Sequence, residues 1–394
     1  MDQAKNNVAI LAVCQALLYT GNVILITLNG LVGFAFAGDK ALATLPISTF
    51  VIGVAISSIP ASMWMKRAGR RGGFMTGALI GMLGATLATY AVHIASFWTL
   101  CAGTLLMGMY SAFGQYYRFA AADAASVSFK SKAISLVMAG GIVGGIIGPE
   151  STKFTKDLLQ PAFLASYGSL ILICLLALVL LWFIDIPKPS EEENKQPGRP
   201  LREIMLQPIF IVAVLGAMIG FGVMNLILTA TPLAMTHHRH PFNDAAFVIE
   251  WHVIAMFAPS FITGSLINRF GVYTIMLWGA MLMTACVAIS LSGMALMNFW
   301  TALVLLGVGW NFLFVGGTTL LTEAYLPAER AKTQAANDFL VFTVVALSSL
   351  SSGTLLYHFS WQVVNYAALP FLLVVATAII WLMMRQGKHA APAV

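Results

Sequence analysis

KRAGRRGGF (66–74) has a counterpart 202 positions later, NRFGVYTIM (268–276), and the two share Arg-x-Gly between apolar runs. A second pair, DAASVSFKSKAIS (123–135) and EAYLPAERAKTQA (323–335), shares acid-Ala, then a base, a gap of one, and Lys at an offset of 200. Two matches at nearly one offset divide the 394-residue chain into tandem halves. Around them the composition is 59% hydrophobic and 9% charged, where soluble domains carry about a quarter charged residues. Apolar stretches long enough to cross a hydrocarbon core of roughly 30 Å recur along nearly the whole length. The chain reads as an all-α, multi-pass membrane protein.

Breaks at polar, Gly and Pro positions place spans near 8–36, 41–65, 74–93, 97–121, 133–149, 162–185, 206–236, 246–267, 273–292, 298–322, 334–356 and 361–384. The first run, from about Val8 to Ala37, ends in Ala35-Phe36-Ala37, which fits a cleavage pattern, but it is about twice as long as the roughly 7 to 15 apolar residues of a signal peptide. It reads as the first of twelve transmembrane helices. One connection is long and polar, PKPSEEENKQPGRPLRE (187–203), so the expected organisation is a six-helix bundle over 1–186, a cytoplasmic linker over 187–203 and a second six-helix bundle over 204–394.

With the N-terminus inside, the cytoplasmic loops hold sixteen of the 21 Lys and Arg and the outer loops four: Lys40, Lys153, Lys156 and Arg239. That asymmetry orients the chain with both termini cytoplasmic, in an inner membrane. The net charge of +6 is therefore spent on topology rather than on a nucleic-acid partner. The remaining cation, Arg118, lies within a span. Cys14, Cys101, Cys174 and Cys286 each stand alone in an apolar run, as small buried hydrophobes do.

Two parallel six-helix repeats with a substrate site between them are the arrangement of major facilitator transporters, and the chain resembles that superfamily over essentially its full length. The signature loop between the second and third spans, G-x-x-x-D-R-x-G-R-R, stands here as SMWMKRAGRR (62–71). Ser62 replaces the glycine and Lys66 the acid; the second copy, GSLINRFG (264–271), has Asn268 at the acid position. AGGIVGGIIGP (139–149) partly matches the glycine-proline motif of drug:proton antiporters, but small residues for close helix packing account for it better. MNLILTATPLAM (224–235), EWHVIAMFAPSFITG (250–264), GQYYRFAAADAA (114–125) and GWNFLFVGGTTLLTEAY (309–325) resemble a bacterial branch that includes CcoA-type copper importers and related riboflavin importers. In the copper members the seventh span carries M-x-x-x-M and the eighth H-x-x-x-M. This chain keeps His252 and Met256 but follows Met224 with Leu228.

Imidazole and thioether suit Cu(I), so Met224, His252 and Met256 form a candidate three-coordinate metal site, against which stands a hydrogen-bonded histidine among packing methionines. Glu250 points about 160° away from His252 at roughly 100° per residue, so the two are no pair along the helix. As the acid and the imidazole inside the outer half of a span, they are the proton-coupling candidates. MTHHRH (235–240) gathers His237, His238 and His240 at the mouth of span seven, as a metal collector or a solvated loop.

An arginine inside a span needs an anion, so Arg118 binds substrate or pairs with a carboxylate such as Asp123. Gln115, Tyr116 and Tyr117 precede it. Asn22, with Gln15 and Asn29 at spacings of seven, marks a polar stripe on the first span, and Asn225 is its equivalent at an offset of 203. Trp310, Asn311, Thr318 and Thr319 form an aromatic and hydroxyl wall on the tenth span. The expected substrate set is thus Asn22, Gln115, Tyr117, Arg118, Met224, Asn225, His252, Met256, Trp310 and Asn311. Asp123 and Glu323, equivalent in the repeat, are expected as cytoplasmic gate latches with Arg67, Arg70, Arg269 and Arg330.

There is no P-loop, H-E-x-x-H or G-x-S-x-G motif, which speaks against an enzyme, and no cofactor is expected. The expected function is a monomeric secondary transporter moving a small molecule or metal ion by alternating access, through proton-coupled import. Copper is the first substrate reading, riboflavin or a similar organic solute the alternative, and drug:proton antiport a third.

Overall fold

The computed structural model describes residues 2–39, 42, 45–186 and 198–390. Among them the regular structure is helical throughout. The helices are α1 (Asp2–Phe36), α2 (Leu45–His93), α3 (Phe97–Gly114), α4 (Tyr117–Ala124), α5 (Lys130–Thr155), α6 (Leu164–Trp182), α7 (Leu201–Met205), α8 (Pro208–His237), α9 (Phe242–Phe257), α10 (Ser260–Phe270), α11 (Val272–Ser292), α12 (Leu296–Leu321), α13 (Arg330–His358) and α14 (Trp361–Ala390). Each expected span falls on helix, the second and third on the two arms of α2, the fourth on α3 with α4, and the eighth on α9 with α10. Eight described helices are long and apolar enough to cross a membrane, and the pair Phe247–Phe257 and Ser260–Phe270, bent by 42°, makes a ninth. Most of the expected linker, 187–197, lies outside the described residues.

The chain forms two compact units. One comprises Met1–Ser126, Leu136–Glu193 and Gln334–Phe339; the other comprises Val127–Ser135, Asn194–Thr333 and Leu340–Val394. Each unit therefore holds the helices of six expected spans, except that residues 130–135 of α5 are counted with the second unit and Gln334–Phe339 of α13 with the first.

The sequence repeat has a conformational basis. Gly69 breaks α2 at φ 79° and ψ 170°, and Gly271 separates α10 from α11 at φ 83° and ψ 151°. Side chains other than glycine's are almost excluded from this region, and a Cβ on Gly271 would meet nothing within 4 Å, so the backbone angle alone requires the residue. The two glycines stand 202 positions apart, and each reverses the chain after an Arg. In the first unit the glycine stripe of α5 lies against α1: a Cβ on Gly140 would collide with the Ala12 carbonyl oxygen and one on Gly144 would sit 2.6 Å from the Thr20 nitrogen. Close backbone approach, not a transport motif, accounts for that stripe.

Candidate functional site

In the first unit the helix of the fourth span stops at Gly114 and restarts at Tyr117, and the break brings polar groups inward. Arg118 is 3% exposed. Its Nη2 donates to Asp338 Oδ1 at 2.6 Å and its Nη1 to Gln115 Oε1 at 3.1 Å. Asn337 Nδ2 donates to the same Asp338 oxygen at 2.8 Å, while Asp338 Oδ2 is buried with no hydrogen-bond partner. The carboxylate paired with Arg118 is thus Asp338, a residue the sequence reading passed over, rather than Asp123. Asp123 instead accepts from Arg70, at 2.8 Å from Nη2 and 3.1 Å from Nε. Arg70 Nη2 also donates to Gln334 Oε1 at 2.7 Å. Gln334 and Asp338, four apart on α13, lie on one helical face, so a single face serves both buried arginines.

Of the other residues expected in this unit, Tyr117 is fully buried, with its ring edge-on to Phe74 at 4.8 Å. Asn22 donates to Ser111 Oγ at 3.1 Å, and Asn29 accepts from the Tyr167 hydroxyl at 2.8 Å. The polar stripe of α1 thus also ties α1 to α3 and α6.

In the second unit Trp310 is fully buried and stacks on Phe314, with centroids 5.0 Å apart and planes 13° from parallel. Phe221 and Phe257 meet Trp310 edge-on at 5.4 and 5.8 Å, and Phe342 meets Phe221 at 6.0 Å. Trp310 Nε1, Thr318 Oγ1 and Thr319 Oγ1 are buried without hydrogen-bond partners. Trp310, Phe314 and Thr318 recur every four residues, on one face of α12. That face combines stacked aromatic rings with buried polar atoms that make no hydrogen bond.

Asn311, on the adjoining face, is fully engaged elsewhere. Its Nδ2 donates to the Met256 carbonyl at 2.7 Å and to Ser260 Oγ at 2.5 Å, and its Oδ1 accepts from Thr263 at 2.7 Å. These bonds hold the 42° bend between α9 and α10, where helical pairing is interrupted. Asn225 likewise donates to the Val345 carbonyl at 3.2 Å and to Ser348 Oγ at 3.1 Å, joining α8 to α13.

His252 is fully buried, with Nδ1 2.8 Å from the Leu303 carbonyl. The carbonyl can only accept, so Nδ1 carries the proton and Nε2, buried without a partner, keeps its lone pair. Met224 and Met256 are buried. Glu250 is exposed, on the opposite side of α9 from His252, as the helical geometry requires. His240 is bonded through Nε2 to the Met294 carbonyl at 2.7 Å, while His237 and His238 are exposed. Among the described residues no group of three or more His, Cys, Asp or Glu converges on a metal position, the MTHHRH histidines included.

A sequence profile of the Major Facilitator Superfamily matches residues 11–257 and 213–393. The chain belongs to the major facilitator superfamily. It is 42% identical over 390 residues to the riboflavin transporter RfnT of Brucella anthropi, covering 98% of each chain. It is 30% identical over 389 residues to YddS, an uncharacterised transporter of the superfamily from Bacillus subtilis, covering 93% of this chain and 88% of that one. Among solved structures, the superfamily transporter FucP in its outward conformation superposes with a TM-score of 0.78 at 16% identity, over 95% of this chain and 98% of that one. That likeness establishes the fold alone. The chain is a multi-pass membrane transporter. Copper, the first substrate reading, finds no support in these relatives; riboflavin, its alternative, does.

For a major facilitator transporter the expected gate residues are arranged unequally. Arg70 and Asp123 form the buried pair described above, whereas Arg67, Arg269 and Glu323 are exposed and Arg330 is half-buried. In the second repeat the acid that captures an arginine is Glu329. Its Oε1 accepts from the Arg199 backbone at 2.7 Å and from Arg199 Nε at 2.8 Å, and its Oε2 accepts from Arg199 Nη2 at 2.6 Å and from the Leu326 amide at 2.9 Å. The Arg199 hydrogen bonds hold the Glu329 carboxyl well below its usual value near 4.5, down to about 2. A depressed carboxyl pKa contributes stability above the unfolded value, and that contribution is lost as pH falls from about 4.5 through about 2. Glu329→Gln is therefore expected to melt lower than wild type at neutral pH, and the difference is expected to shrink across that window. Thermal melts of detergent-purified protein along a pH series measure it; a gap that stays constant on acidification would contradict the pairing.

Proposed function

We propose that the chain is an importer of riboflavin, or of a similar flat organic solute, in the cytoplasmic membrane. The observation that carries this reading is the 42% identity over 98% of both chains to a protein named as a riboflavin transporter. The chemistry of the two units supports it. A ring system needs a flat apolar surface, and the buried cluster of Trp310 with Phe221, Phe314 and Phe342 would supply one wherever the transport cycle uncovers it. Its imide and carbonyl edge needs donors and acceptors, and Trp310 Nε1, Thr318 Oγ1 and Thr319 Oγ1 are buried polar atoms with no partner inside the protein.

In this reading both termini are cytoplasmic, following the excess of sixteen Lys and Arg on one side over four on the other. Coupling to protons needs a carboxyl or imidazole that changes partners during the cycle. Asp338, whose Oδ2 has no partner while its Oδ1 holds Arg118, joins Glu250 and His252 as a candidate. Substrate competing for Arg118 would release the carboxylate to take a proton. Thermal-shift titration of the purified protein with riboflavin and, separately, with Cu(I) tests the substrate. Riboflavin is expected to raise the melting temperature in proportion to the logarithm of its concentration above Kd. A shift with Cu(I) and none with riboflavin would return the site to Met224, His252 and Met256.

A further inference from the structure

The second unit carries a pocket of about 410 Å³ lined by α8, α13 and α14, distinct from the Trp310 cluster. Its size lies within the range of small-ligand sites, about 300 to 1,000 Å³. Ile219, Val223 and Leu226, midway along α8, are buried and make its floor. Leu347 on α13 and Phe371 on α14 line its mouth, at 58% and 54% exposure.

Ser348 and Ser351 are the two side chains of the lining with a polar group. Both hydroxyls donate one turn back along α13, Ser348 to the Val345 carbonyl at 2.9 Å and Ser351 to the Leu347 carbonyl at 2.8 Å. Ser348 Oγ also accepts from Asn225. A flavin or sugar entering the pocket would leave its own polar groups unpaired, at a cost of roughly 1–3 kcal/mol each. On α14 Val374, one turn from Phe371, is exposed as well, and apolar side chains exposed on a membrane helix are of the kind it turns to lipid.

We propose that this pocket holds the acyl chain of a bilayer phospholipid, inserted between α13 and α14 onto α8. The experiment is photo-crosslinking in proteoliposomes containing a phospholipid with a diazirine near the end of one acyl chain, followed by peptide mapping. Labelling is expected to concentrate on the α13 peptide containing Leu347 and on the α14 peptide containing Phe371, well above the exposed Leu172 and Leu176 of α6. Ala367→Trp, which fills the pocket, is expected to cut the α13 labelling by roughly tenfold and leave α6 unchanged. Ser351→Phe repeats the test from the exposed rim, should the first variant fail to fold. Even labelling of α6, α13 and α14, or labelling that neither filling variant reduces, would overturn the proposal. So would displacement of the lipid label by riboflavin, which would make the pocket a substrate site.

Discussion

Arg118→Leu is expected to destabilise the protein by about 3–5 kcal/mol, because it strands the buried Asp338 carboxylate without its counter-charge. The Asn337 amide at 2.8 Å and the Arg118 guanidinium at 2.6 Å are what compensate that carboxylate in an apolar surrounding. Removing the guanidinium leaves a neutral amide against a full charge. The double variant Arg118→Leu/Asp338→Leu removes both charges together, and replacing a buried ion pair by apolar groups is often close to neutral for stability. It is therefore expected to melt near wild type and yet to transport nothing, since neither the cation for substrate nor the carboxyl for a proton remains. Melting curves on the single and double variants, with uptake on the double, separate the two roles. A single variant as stable as wild type would mean that Arg118 and Asp338 do not hold one another. A double variant that still accumulates substrate would reduce the pair to a structural tie.

Trp310 carries the second large effect. It is fully buried against Phe221, Phe257 and Phe314, so Trp310→Ala opens a cavity costing about 3–5 kcal/mol. Trp310→Phe keeps a ring on Phe314 but deletes Nε1, and a swap that retains most of the volume is expected to cost under about 1.5 kcal/mol. If the aromatic face takes the substrate, Trp310→Phe raises the KM for riboflavin by roughly fivefold, about 1 kcal/mol, while the melting temperature moves little. Unchanged uptake kinetics in that variant would assign Trp310 to packing alone.

The fold was legible because membrane burial leaves a coarse signal: runs of twenty apolar residues, few charges, and Arg-x-Gly twice at one offset. Gly69 and Gly271 carry that offset into the backbone, as two left-handed breaks. Arg118 was legible for the same reason, since one arginine in an apolar helix must face something. Its partner was not. Asp338 closes the polar run AKTQAAND (331–338), which reads as the border of a span, and it meets Arg118 across 220 positions of sequence.

Repeat logic misled in one place. Equivalence with Asp123 pointed to Glu323, which is exposed, whereas Glu329 holds the arginine, because Arg199 approaches from a segment with no counterpart in the first repeat. Some polar residues expected at the substrate serve the fold instead. Asn311 spends its whole amide on the bend between α9 and α10, and Asn225 spends its donor on α13. An amide at membrane depth must satisfy its own hydrogen bonds before it can serve a ligand, and only three-dimensional geometry shows which use it has.

The most direct test of the whole account is uptake of radiolabelled riboflavin by proteoliposomes containing the purified protein, with and without an inward proton gradient. Saturable uptake that exceeds that of empty liposomes and is driven to accumulation by the gradient is expected. Riboflavin levels no higher than in empty liposomes, beside saturable uptake of Cu(I) under the same conditions, would contradict it.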